Sequence, residues 1–189
     1  MQRSLLAFFF AVLVMAYPLA VYFGLQYLPP RSIGLILAVL LGLRLWFYRH
    51  QIRDHVTLLL PALVLALLCS LGAALFNSET TLRLTPVFIN AVSLVVFAVT
   101  LWRPPSMIER FARMTEPLLD SRAVTYTRQV TKVWCVFFFA NGLFALYTAL
   151  YTSMAFWTLY NGLLAYLLMG LLFAVEYWVR MRVRGSVAQ

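Results

Sequence analysis

Six acidic residues, two histidines and two cysteines are all that a chain of 189 residues offers of the usual proton-transferring and metal-binding side chains. His50, Asp54 and His55 fall in one short turn, but the histidines are five apart and lack the i, i+4 spacing of a helical metal pair. Asp54 beside His55 is the nearest approach to the acid–base pair that an interfacial lipid enzyme would need. Cys69 and Cys135 stand far apart inside apolar stretches, where a thiol packs rather than reacts. No G-x-S-x-G elbow, phosphate-cradling glycine loop or paired acidic motif occurs. The expectation is a protein that is not an enzyme and holds no metal or cofactor.

More telling are polar residues set inside apolar runs, because a polar group in hydrocarbon needs a partner or a cavity to line. They are Asn90, Asn141, Asn161, Glu176 and, beside them, Lys132, with Asn141 and Asn161 each followed by glycine. One reading is interhelical hydrogen bonding, worth about 0.6 to 2 kcal/mol per contact. The other is a cleft that these amides share with Tyr147, Tyr151, Tyr160 and Tyr166, accepting an amphipathic or conjugated lipid-like molecule. Glu176 precedes Arg180 by one turn, in the favourable order for a local ion pair. Its alternative is a polar cluster with Lys132 or Arg128.

The elements that must position these residues follow from composition. With 63% hydrophobic and 11% charged residues, and a mean hydropathy of +0.87, no water-soluble globule could bury so much apolar surface. The expected fold is an all-α polytopic membrane bundle. Spans of the roughly 20 residues that a bilayer requires are expected at about 5–28, 33–48, 56–76, 86–102, 130–151 and 156–179. The first is read as a retained helix rather than a cleaved signal, ending at Pro29-Pro30. Thr85 is the expected N-cap of the fourth, with Pro86 at its first helical position. All five tryptophans fall near expected span ends, as in an aromatic belt, and the runs Phe8-Phe9-Phe10 and Phe137-Phe138-Phe139 should partly face lipid.

With both termini inside, every basic residue except Arg31 and Arg83 falls on the cytoplasmic side of the membrane. A net charge of +9 is thus an orientation signal and does not call for nucleic acid. The longest polar stretch, 103–129, opens with Ser106-Met107-Ile108-Glu109, the pattern of a capping box. Met107, Phe111, Met114 and Leu118 then repeat at helical spacing, opposite Arg110, Arg113 and Glu116, so an interfacial amphipathic helix is expected at about 106–119. It either simply connects two spans or docks a cytosolic partner. For such a partner Arg110, Arg113, Arg122 and Arg128 are the expected contacts. Oligomeric state is not specified by the sequence.

The string Pro104-Pro105-Ser106-Met107-Ile108-Glu109-Arg110, then Tyr126-Thr127-Arg128, Val133-Trp134-Cys135, Phe138, Asn141-Gly142, Leu159-Tyr160-Asn161-Gly162, Gly170 and Glu176 resembles a family of small bacterial inner-membrane proteins. Members of that family are encoded among genes for aryl polyene and xanthomonadin-like pigment lipids, beside acyl carrier proteins, dehydratases, acyltransferases and exporters. The resemblance covers roughly residues 103 to 182. It implies a setting in acyl-lipid assembly and an acyl carrier protein as a potential partner, but assigns no molecular activity. Trp134, Phe138, Gly142 and Tyr147 are more weakly similar to the intracellular septation protein A type. Three expectations follow: a non-enzymatic scaffold or lipid-handling component; an acyl- or lipid-modifying enzyme using Glu176, Asn141 or Asp54 with His55; or a small transporter or septation-type protein.

Overall fold

A computed structural model of the chain describes residues 17–48 and 60–185. The first part of the first expected span, including Phe8-Phe9-Phe10, and the turn with His50, Asp54 and His55 lie outside them, as does the start of the third span. The described residues are helical, with no strand.

Helix α1 occupies residues 17–27 and stops short of the two prolines that cannot continue it. Pro30 instead opens α2 (Pro30–Tyr48), at the position where a missing N–H leaves nothing unsatisfied. The second element therefore begins before the expected Ile33 and reaches 19 residues. It packs on α3 (Leu60–Phe76), and the contact depends on Gly34. A Cβ there would sit 2.6 Å from the Ser70 carbonyl oxygen and 2.7 Å from the Ala74 nitrogen, both backbone, so any side chain would force the helices apart. Buried Ala38, Ala73 and Ala74 extend the same close seam.

Asn77 ends α3 in a left-handed conformation, φ 48°, which asparagine tolerates, and its side chain accepts the Arg31 N–H at 3.0 Å. Short α4 (Glu79–Arg83) follows, capped by Ser78, and α5 (Thr85–Trp102) continues after a single turn residue. The N-cap of α5 is Leu84, not Thr85. The Thr85 hydroxyl is taken up across helices instead, accepting from Tyr17 Oη at 3.0 Å while the same phenol reaches the Leu82 carbonyl.

Beyond α6 (Met107–Thr115), helix α7 runs from Ser121 to Tyr151, 31 residues, starting well before the expected Val130. Asp120 explains the early start: its carboxylate accepts the Ala123 N–H at 2.6 Å and nucleates a polar first stretch that composition alone assigns to a loop. Thr152 and Ser153 form the tight turn to α8 (Met154–Leu159), with Ser153 capping it, and a π-helical turn (Tyr160–Leu164) leads into α9 (Ala165–Gly185). Three segments are long and apolar enough to cross a membrane: Glu79–Trp102, Ser121–Tyr151 and Met154–Arg182. Pro30–Leu43 and Val64–Phe76 are shorter apolar helices.

Two apolar clusters sit at opposite ends of the α5–α7 pair. Val21, Ile33, Ala73, Leu82, Ala149 and Trp157 pack near α4, and Val130, Trp134 and Phe138 pack near α6 against Phe97, Ile108 and Leu172. This corrects the belt reading for two tryptophans. Trp46, Trp102 and Trp178 are exposed, but Trp157 and Trp134 are core residues. Trp157 can be buried because its indole N–H donates to the Arg83 carbonyl at 3.0 Å, and Trp134 because Phe97, Phe137, Phe138 and Phe173 surround its ring. Phe138 points inward and Phe139 outward, as expected of a run covering more than one face.

Candidate functional site

Two of the five polar residues singled out inside apolar runs meet. Asn141 on α7 donates from Nδ2 to Asn90 Oδ1 on α5 at 3.0 Å and accepts at its own Oδ1 from Tyr160 Oη at 2.8 Å. Asn90 Nδ2 in turn donates to the Pro86 carbonyl at 2.8 Å. The chain Tyr160–Asn141–Asn90–Pro86 thus ties the π-helical turn, α7 and α5 together, and Tyr160, Asn141 and Asn90 are all buried. Gly142 permits the approach, since a Cβ there would stand 3.1 Å from Asn90 Cβ. Each asparagine has donor and acceptor sites occupied, which is how a buried amide avoids its desolvation penalty.

Asn161 belongs to a second node. Its Nδ2 donates to Thr148 Oγ1 at 3.1 Å and to the Trp157 carbonyl at 2.9 Å. Thr148 lies two helical turns from Asn141 along α7, and Arg83 completes this node. The guanidinium donates from Nη2 to the Thr148 carbonyl at 2.8 Å and the Thr152 carbonyl at 2.6 Å, with Glu79 3.7 Å away. Those carbonyls lie in the last turn of α7, at the negative end of its dipole, where the Thr148 carbonyl also accepts from the Thr152 hydroxyl at 2.7 Å and a cation suits both geometry and charge. In the sequence Arg83 is only a charge on the sparser side. Its role became visible through burial, as did those of Thr148, Trp157 and Tyr17.

Glu176 and Lys132 do not join this cluster. Glu176 pairs with Arg180 at 3.4 Å, one turn away, and Lys132 is exposed on α7 with no bond to it. Tyr126 Oη donates to the Glu176 carbonyl at 3.1 Å, joining α7 to α9 at the opposite end of the bundle. Tyr147 and Tyr151 are exposed, and the Tyr147 ring stands 5.8 Å from both Phe144 and Tyr151 along α7.

At that opposite end α6 is held by threonines. Thr100 Oγ1 accepts the Met107 N–H at 2.9 Å and Thr131 Oγ1 accepts the Ile108 N–H at 3.3 Å, so hydroxyls of α5 and α7 serve two of the first free donors of α6. Buried Glu109 accepts the Ser106 N–H at 3.3 Å and pairs with Arg113 at 2.8 Å. The apolar stripe therefore divides: Met107 is buried, whereas Phe111, Met114 and Leu118 are exposed. The four arginines divide as well. Arg110 donates to the Pro105 carbonyl, Arg113 to Glu109 and the Pro117 carbonyl, and Arg128 to the Leu101 carbonyl. Arg122, exposed like Arg128, makes no polar contact among the described residues. His50, Asp54 and His55 are outside the described residues. Among those described, no group of three metal-ligating side chains gathers.

Neither protein-family models, curated proteins nor solved structures match this chain.

Proposed function

We propose that the chain is a multi-pass protein of the bacterial inner membrane that works as a non-enzymatic scaffold or lipid-handling component in assembly of an aryl polyene-type acyl lipid. Six crossings with both termini in the cytosol accommodate the three long apolar segments, the shorter α2 and α3, and α1. The end bearing α6 then faces the cytosol, because the basic residues of α6, of the first turns of α7 and of the last turns of α9 gather there, leaving Arg31 and Arg83 at the other end. Helix α6 lies along the inner leaflet, with Phe111, Met114 and Leu118 toward acyl chains.

The observation that carries the scaffold reading is the Tyr160–Asn141–Asn90 chain. Amides already bonded to each other act as links between helices rather than as groups waiting for a substrate. The lipid class rests on the residue string from Pro104 to Glu176. Deleting the gene and assaying the pigment lipid with its intermediates tests the proposal: pigment should be lost from the outer membrane while an acyl intermediate accumulates, and unchanged pigment would refute it. Reporter fusions at each terminus test the topology, and a periplasmic signal from either would overturn it.

A further inference from the structure

The helix that ends in α9 is held firmly at its start and lightly along the rest. At the π-helical turn, Tyr160 Oη donates to Asn141 Oδ1 at 2.8 Å and Asn161 Nδ2 donates to Thr148 Oγ1 at 3.1 Å, while Trp157, Thr158 and Ala165 are buried on either side. Neighbouring side chains in an α-helix point about 100° apart. The wider turn, in which the Ala165 N–H reaches back five residues to the Tyr160 carbonyl, lets both neighbours bond to α7. Gly162 seats this turn against α1, where a Cβ would stand 3.4 Å from Pro18 Cβ. From Tyr166 to Arg182, by contrast, no residue is buried. That length meets α7 through large side chains, with the Phe173 ring 4.6 Å from the Trp134 ring and Met169 and Leu172 beside it. At its far end Tyr126 Oη donates to the Glu176 carbonyl at 3.1 Å.

We infer that the π-helical turn is a hinge on which α9 swings away from α7, opening the seam between them at the α6 end, with the Tyr126–Glu176 hydrogen bond as its latch. A π-helical turn is one of the few places where a helix bends sharply, and hinges lie at element ends where a few residues absorb the change. Here the anchored part and the lever are adjacent. The bonds to Asn141 and Thr148 hold the pivot in place, and beyond Ala165 ring contacts and the latch close the seam. Opening brings the Trp134 ring, 3% exposed in the closed arrangement, to the bilayer side of α7. The hinge does not rest on the polyene-lipid reading, because it needs only the chain and a membrane.

Pulsed electron resonance distances in the full chain, in lipid nanodiscs and with Cys69→Ala and Cys135→Ala removing the native thiols, test it. Spin labels on Gln129→Cys and Tyr177→Cys read the α6 end of the seam, and labels on Val95→Cys and Val136→Cys read the α5–α7 pair as a rigid reference; all four positions are exposed. The first pair should show a closed and a longer distance, and the reference pair a single one. Tyr126→Phe should raise the ratio of long to short distances about threefold, the effect of losing one ordinary interhelical hydrogen bond in a membrane. Deleting Leu163, which turns the π-helical turn into plain α-helix, should abolish the longer distance. A single distance for Gln129 and Tyr177 in both the unaltered latch and Tyr126→Phe would overturn the inference, as would two distances that persist unchanged after the deletion. Should the deletion variant fail to fold, Tyr126→Phe decides alone.

Discussion

The two ends of the α5–α7 pair use arginine in opposite ways. Near α4, Arg83 is largely buried, with 14% of its side chain exposed, and its Nη2 serves two backbone carbonyls at a helix end. Near α6, Arg110 and Arg113 close short local contacts and Arg128 reaches across from α7 to the Leu101 carbonyl of α5, while Arg122 closes none among the described residues. The difference follows from what surrounds the charge. Where solvent and salt reach a guanidinium, a hydrogen bond contributes little; where they do not, losing it strands the acceptors it served. At one end a buried arginine ties the helices together; at the other the hydroxyls of Thr100, Thr131 and Tyr126 do so, and the arginines lie at the surface.

Substitutions break that contrast in a graded way. Arg83→Ala should have the largest effect, lowering unfolding free energy in detergent by about 2–3 kcal/mol, because the last acceptors of α7 lose a charged donor; reversible unfolding of the purified chain measures it. Thr131→Val comes next, at about 1 kcal/mol. Its signature is local: amide exchange in α6 should quicken while the middle of α7 stays protected, since the Ile108 N–H loses its acceptor. Arg110→Ala should fall at or below about 0.5 kcal/mol. Raising ionic strength to about 1 M, where the screening length is about 3 Å, should erase that last effect and leave the Arg83 deficit intact.

Much of this arrangement is legible in the sequence, and the limits are physical. Apolar runs fix which segments are helical, and asparagine inside such a run announces a hydrogen-bonded partner. That Asn141 meets Asn90, 51 residues earlier, depends on the approach of α5 and α7 allowed by Gly142, which no local pattern encodes. Asn161 follows a residue that reaches Asn141, yet its own amide turns to Thr148, because the π-helical turn buries both Tyr160 and Asn161. The start of α7 was hidden by polarity: residues 121–129 look like a loop until Asp120 is recognised as a cap. Trp134 and Trp157 resemble belt residues by position and are core residues by partner. The division of the α6 stripe was equally out of reach, since Thr100 and Thr131 decide which side of the helix turns inward.

A double-mutant cycle on Asn141→Ala and Tyr160→Phe, read as unfolding free energy of the intact chain in detergent, tests most directly whether the buried amides bind the helices to one another. A coupling of about 1 kcal/mol is expected, within the range for interhelical hydrogen bonds in membrane proteins. Additivity of the two single effects, to within about 0.3 kcal/mol, would mean that the 2.8 Å contact joins nothing and would contradict the internal-link role given to this cluster.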